Sequence, residues 1–214
     1  MDILTEFQKE FILAFSKTPL IDSFFLTGGT ALSAFYLQHR LSEDLDFFTE
    51  EEGQISRALP IIQNIAFELN SKIEIRRNFM SFIEFFLVRN DESIRCDFAM
   101  DSPYRLDQKV FREEYGIYTD NVTDISCNKL SALYDRSELK DFVDIYFIDK
   151  EIIPFEELVE KAKEKHIGLD DYWLAVSLSK IENLNILPRM IKLITINELR
   201  DFFEKKLQWL MKKL

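Results

Sequence analysis

An α+β fold, a mixed sheet flanked by helices followed by a helical C-terminal half, is predicted by three features of the amino-acid sequence. Strand-like runs cluster before residue 120, helical periodicity dominates after it, and the tetrapeptide Arg89-Asn90-Asp91-Glu92 joins two of the strand-like runs as a hairpin. The change of character divides the chain into an α/β core, residues 1–120, and a helical domain, residues 121–214.

Taken in order, Ile3, Leu4, Phe7, Phe11, Ile12 and Phe15 recur at helical spacing over residues 3–16, and Ser23 to Thr27 reads as a short buried strand. A glycine pair follows, and the stripe Ala31, Leu32, Phe35 and Tyr36 makes Thr30 to His39 a helix. Asp44 to Thr49 is extended. A helix over residues 54–70 contains Pro60, which is expected to kink or break it, because proline has no N–H to donate and crowds the preceding turn. Three strands come next, Lys72 to Arg76, Met80 to Arg89 and Ser93 to Met100. Helices are expected at Asp124–Asp135, Glu138–Lys150, Phe155–His166, Asp170–Glu182 and Asn197–Leu214.

The composition narrows the function. With 47% hydrophobic and 14% aromatic residues in 214, the chain can build a packed core, and no apolar run approaches the ~20 residues that span a bilayer. No secretion signal opens it, so the expected compartment is the cytoplasm. Cys96 and Cys127 lack metal-ligand spacing and read as buried free thiols, and only His39 and His166 exist, which removes most zinc and histidine-base schemes. A net charge of −11 argues against a broad nucleic-acid surface, so any such contact must be local; basic groups such as Arg76-Arg77, Arg89, Arg95, Arg105, Lys205-Lys206 and Lys212-Lys213 exist, and most of them read as solvated faces balancing nearby acids.

Chemistry concentrates in residues 26–48. Side chains alternate along a strand, so Asp44 and Asp46 share one face while Leu45 and Phe47 take the other. Two converging carboxylates repel unless a divalent cation lies between them, and all-oxygen ligation suits Mg²⁺ or Mn²⁺. An edge strand with two solvated acids has the same pattern. Against that, Gly28 and Gly29 stand between a buried strand and a helix start, where bare amides favour phosphate, with Thr30 beside them.

The segment resembles the AbiEii/AbiGii toxin nucleotidyltransferases, a branch of the DNA polymerase beta-like superfamily. The resemblance rests on GGTAL at residues 28–32, HRLSEDLD at residues 39–46, and NKLSALYDRSELKDFVDIYFI at residues 128–148. Many members carry Gly-Ser where this chain has Gly28-Gly29, leaving phosphate contact to backbone amides and Thr30. The resemblance implies a polymerase-beta-like core and transfer of a nucleoside monophosphate from an NTP to an acceptor hydroxyl, with RNA or tRNA as acceptor and a cognate antitoxin as partner. It implies that Lys129 meets the nucleotide phosphates and Asp141 positions groups or acts as base, unless these residues only make surface ion pairs in a charged helical hairpin. Two-metal chemistry calls for a third carboxylate, and Asp97, sharing a strand face with Arg95, is the candidate. Arg40 touches phosphate or acceptor, or bonds a nearby carboxylate; Ser42 joins the nucleotide site or shapes the turn. A non-catalytic nucleotide- or partner-binding module and a two-metal phosphodiesterase are the competing readings, the glycine turn speaking against the latter because a nuclease has no triphosphate to cradle.

Overall fold

The computed structural model of the chain describes residues 3–214; the first two residues of the expected core domain lie outside the described residues. The chain divides into two compact units. The first takes in the chain up to Ala34 and Ser42–Asn121; the second takes in Phe35–Leu41 and Val122–Leu214.

The first unit opens with α1 (Glu6–Phe15), started by a capping box in which the Thr5 hydroxyl accepts from the Gln8 N–H and the Gln8 side chain accepts from the Thr5 N–H. β1 (Phe25–Thr27) leads directly into α2 (Gly28–Leu32), which runs on as a π-helical turn, Ser33–Leu37. β2 (Asp44–Thr49), α3 (Gln54–Glu68), β3 (Lys72–Phe79), β4 (Phe82–Arg89) and β5 (Glu92–Met100) follow, and β6 (Val110–Arg112) and β7 (Ile117–Thr119) close the unit. Pro60 does not interrupt α3, contrary to a break at that position. It lies on the exposed side of the helix, where the Ser56 carbonyl that loses its partner can be hydrated.

Seven strands form one sheet in the order β3-β4-β5-β2-β1-β7-β6. The sheet is mixed: β2 runs parallel to β5 and β1 parallel to β7, while the remaining pairs are antiparallel. The hairpin at Asn90-Asp91 pairs Arg89 with Glu92. A second, Phe79 to Phe82, places Met80 in a turn rather than in the strand expected for it. β6 and β7 went unpredicted, since three residues are too few to show a period. One face of the sheet carries Leu45, Phe47, Phe85 and Phe98 against Phe11 and Phe15 of α1, with ring centroids 4.8–6.4 Å apart. Alternation therefore turns Asp44, Asp46, Arg95 and Asp97 to the opposite face.

The second unit is helical: α4 (Val122–Arg136), α5 (Leu139–Glu151), α6 (Phe155–Lys165), α7 (Asp171–Ser179) ending in a 3-10 turn, and α8 (Ile196–Met211). α4 packs on α5, α6 and α7, and α8 packs on α5 and α7. Both cysteines are buried free thiols. Among the described residues no helix is long and apolar enough to cross a membrane.

Candidate active site

In the first unit the antiparallel register Thr27↔Asp46 brings the carboxylate of Asp46 over the turn that joins β1 to α2. Gly28 has φ +72°, and a Cβ there would stand 2.0 Å from Asp46 Oδ2, so the position demands glycine twice, for its backbone and for its space. Thr27 puts its hydroxyl to another use, donating to Asp120 Oδ2 at 3.1 Å, and α2 starts without a side-chain cap. Thr30 is fully buried and donates its hydroxyl to the Asp44 carbonyl, tying the helix start to the strand start. Half-buried Ser42 sits in the segment entering β2, where the Gln8 amide donates to the carbonyls of Ser42 and Glu43 at 3.5 and 3.0 Å.

Across the sheet the register aligns Thr27, Asp46, Asp97, Glu84 and Arg77 in one row over β1, β2, β5, β4 and β3. Asp44 and Arg95 are paired one step along, on the same face. Four carboxylates thus share a patch with two guanidinium groups. Arg95 Nη2 donates to Asp97 Oδ2 at 2.8 Å; its Nη1 lies 3.7 Å from Asp44, and its Nε lies 3.1 Å from Glu84 without the alignment of a hydrogen bond. Arg77 Nε pairs with Glu84 at 2.9 Å. The other oxygen of Asp97, Oδ1, is buried with no partner. Burial pushes the Asp97 carboxyl up to about 6; Arg95 opposes this, and Asp46 and Glu84 add repulsion.

That excess of buried negative charge, with an unused oxygen, is what a divalent cation would relieve, and the donors are all oxygen, which suits Mg²⁺ or Mn²⁺. Asp44, Asp46 and Asp97 therefore fit such an ion chemically. Among the described residues no three acidic, histidine or cysteine side chains converge as a ligand set, so the fit requires side-chain rotation. Glu84 escaped the sequence reading because it sits inside the apolar run of β4, and Asp120 because it stands alone after β7.

In the second unit a separate charge cluster joins two of the three motifs that carried the resemblance, those at residues 39–46 and 128–148. Asp144 is fully buried and accepts from Arg40 Nε and His39 Nε2 through Oδ1, each at 2.7 Å, and from Arg40 Nη2 through Oδ2 at 2.9 Å. Lys129 Nζ lies 2.9 Å from Asp144 Oδ2 and 4.0 Å from Asp141 Oδ1. Burial alone would raise the Asp144 carboxyl, but Lys129 and Arg40 hold it well below the usual range. Burial keeps His39 below its ordinary value, and with Asp144 ionised the imidazole donates from Nε2, leaving Nδ1 buried without a partner. Asp141 is held bidentately by Arg136 at 2.8 and 2.7 Å. The His39 carbonyl accepts from the Ile191 and Lys192 amides at 2.9 and 3.0 Å, so this short segment is stitched into the helical unit. Of the two uses open to Arg40 in the sequence, the structure shows the carboxylate bond. Lys129 and Asp141 are likewise buried among opposite charges rather than on a helical surface.

Comparison with known proteins agrees with this architecture. The family model described as "Nucleotidyl transferase AbiEii toxin, Type IV TA system" matches residues 10–209. An uncharacterized protein of Aquifex aeolicus (strain VF5) is 28% identical over 182 residues, covering 82% of either chain. A presumed nucleotidyltransferase from H. pylori superposes with a TM-score of 0.61 at 19% identity, over 99% of this chain and 97% of that one. MenT4, a nucleotidyltransferase toxin of Mycobacterium tuberculosis H37Rv, does so with a TM-score of 0.55 at 12% identity, over 95% and 81%. At such identities the two structures speak for the fold alone, an α+β architecture with a mixed sheet and a helical C-terminal half.

Proposed function

The chain belongs to the AbiEii nucleotidyl transferase toxin family, and on that premise we propose that it moves a nucleoside monophosphate from an NTP to an acceptor hydroxyl with the help of Mg²⁺ or Mn²⁺. The observation that carries the reading is the row Thr27, Asp46, Asp97 beside a glycine with no room for a Cβ: carboxylates stand against the start of the helix that follows β1. Gly28, Gly29 and Thr30 supply the backbone amides for the triphosphate, Thr30 through its N–H because its hydroxyl is engaged. Asp44, Asp46 and Asp97 hold the cation. Bound there, the ion would offset charge that develops on the transferred phosphoryl group and on the leaving pyrophosphate. The family resemblance further implies that Lys129, Arg40 and Ser42 serve the nucleotide and that Asp141 positions groups or acts as base.

The acceptor we propose is RNA, with the 3′ end of tRNA foremost, and the place of action the cytoplasm. The overall charge of −11 leaves such a contact to local cations, and Arg76 and Arg77 stand exposed on β3 at the end of the carboxylate row. A cognate antitoxin protein is the proposed regulatory partner. The test incubates the protein with each α-labelled NTP, Mg²⁺ and total RNA or tRNA. Label transfer is expected, falling on the order of a thousandfold in Asp46→Asn. No Asp46-dependent label on any acceptor would refute the transfer, and release of mononucleotides without NTP consumption would mark a phosphodiesterase instead.

A further inference from the structure

We propose that Arg95 is the positioning residue of the carboxylate row: its guanidinium stands in for the divalent cation between Asp44 and Asp97, and turns to the phosphates of the nucleoside triphosphate when the cation displaces it. The inference deepens the proposed function and rests on that reading.

The backbone places Arg95 for this task. On β5 it lies two residues before Asp97, on the same face, and the parallel ladder sets it opposite Asp44. Its fork is within 4 Å of three carboxylates, those of Asp97, Glu84 and Asp44, at 2.8, 3.1 and 3.7 Å, yet only the Asp97 contact is a hydrogen bond between side chains. Nε is left without an acceptor, and so is Asp97 Oδ1. The arginines that this chain uses to brace its fold look different: Arg40 on Asp144 and Arg136 on Asp141 each make two aligned bonds to one carboxylate, at 2.7–2.9 Å. Arg95 instead takes the central position that a point charge would take among several acids.

It is also free to leave. Its side chain is 34% exposed, against 4% for Arg40, so it can rotate outward without opening the core. Glu84 does not lose its only counter-charge in that event, because Arg77 holds its other oxygen at 2.9 Å. A guanidinium and a divalent cation repel and compete for the same oxygens, so arrival of the ion frees the arginine. The freed fork, still anchored beside the metal, matches the paired oxygens of a phosphate.

The competition predicts effects of opposite sign, which a merely structural arginine would not produce. Binding of Mn²⁺ alone is measured by titration calorimetry on the full chain, without nucleotide, for the wild type, Arg95→Met, Arg95→Gln and Arg95→Lys. Removing one charge from between the ligands is expected to lower the Mn²⁺ dissociation constant about tenfold in Arg95→Met and Arg95→Gln, with Arg95→Lys near the wild type. At saturating Mn²⁺ the dissociation constant of a non-hydrolysable NTP analogue is expected to rise about tenfold in the same two variants. Mn²⁺ binding that is unchanged or weaker in both neutral variants, with the wild type binding normally, overturns the role of Arg95 and leaves the metal site standing. No Mn²⁺ binding by the wild type overturns the metal site, and this inference with it.

Discussion

Replacing Asp97 by asparagine should make the protein more stable at alkaline pH while removing its activity. Asp97 is 9% exposed, and its carboxyl is raised from 3.8 to about 6, first by burial and then by Asp46 and Glu84, against the pull of Arg95. A raised carboxyl means that folding favours the neutral acid. Its favourable contribution is complete below about pH 4 and is lost as the pH rises through about 6. A shift of about 2 units at ~1.36 kcal/mol each gives ~3 kcal/mol. Solvent at the edge of the row reduces this to ~1–2 kcal/mol. Asparagine is the uncharged isostere, and its carbonyl can still accept from Arg95 Nη2. Urea unfolding in EDTA should therefore show Asp97→Asn ahead of the wild type by ~1–2 kcal/mol at pH 8 and level with it at pH 4. Mg²⁺ should close the gap by stabilising the wild type alone. A variant no more stable than the wild type at pH 8 would refute the reasoning, because it would mean that Arg95 and water already neutralise the charge.

Two further substitutions probe the turn and the buried cluster. Gly28→Ala forces a left-handed residue against Asp46 Oδ2; a loss of ~1–2 kcal/mol in urea unfolding is expected from the backbone alone, together with loss of nucleotidyl transfer as Asp46 is pushed aside. Full activity of Gly28→Ala would show that the close approach has no functional weight. Asp144→Asn leaves Arg40 and Lys129 without their shared buried counter-charge and should cost ~3–5 kcal/mol in urea unfolding at pH 7. Because the Asp144 carboxyl is depressed by folding, the wild type holds this contribution above about pH 4 and loses it as the pH falls toward the folded-state value. The difference between variant and wild type should shrink on that acid limb, and a constant difference would mean that Asp144 acts by packing rather than by charge.

Much of this molecule was legible in its sequence because the informative signals are local. The alternation Asp44, Leu45, Asp46, Phe47 states which side chains share a face whatever the strand's neighbours are. The Asn90-Asp91 hairpin and the long helices of the second unit were legible for the same reason. The motifs at residues 28–32, 39–46 and 128–148 identified the family, since their spacing is carried by the chain itself. Where the local rule was weak or incomplete the reading failed. Pro60 stays inside α3 because the neighbouring turns can bear one lost hydrogen bond in water, and β6 and β7 are strands only through the partners they find.

The sequence by itself determined that Asp44 and Asp46 point the same way, that a helix follows the buried strand at the glycine pair, although it starts at Gly28 itself rather than after the pair, and that sheet-forming runs come before the long helices. Only the tertiary structure decided what those groups face. Strand order set Asp97 and Glu84 beside Asp46 and put Arg95 among them, and helix packing delivered His39 and Arg40 to a carboxylate 105 and 104 residues away. The physical reason is that backbone periodicity fixes direction within an element, whereas the partner of a charge is chosen by register and burial between elements far apart in the chain.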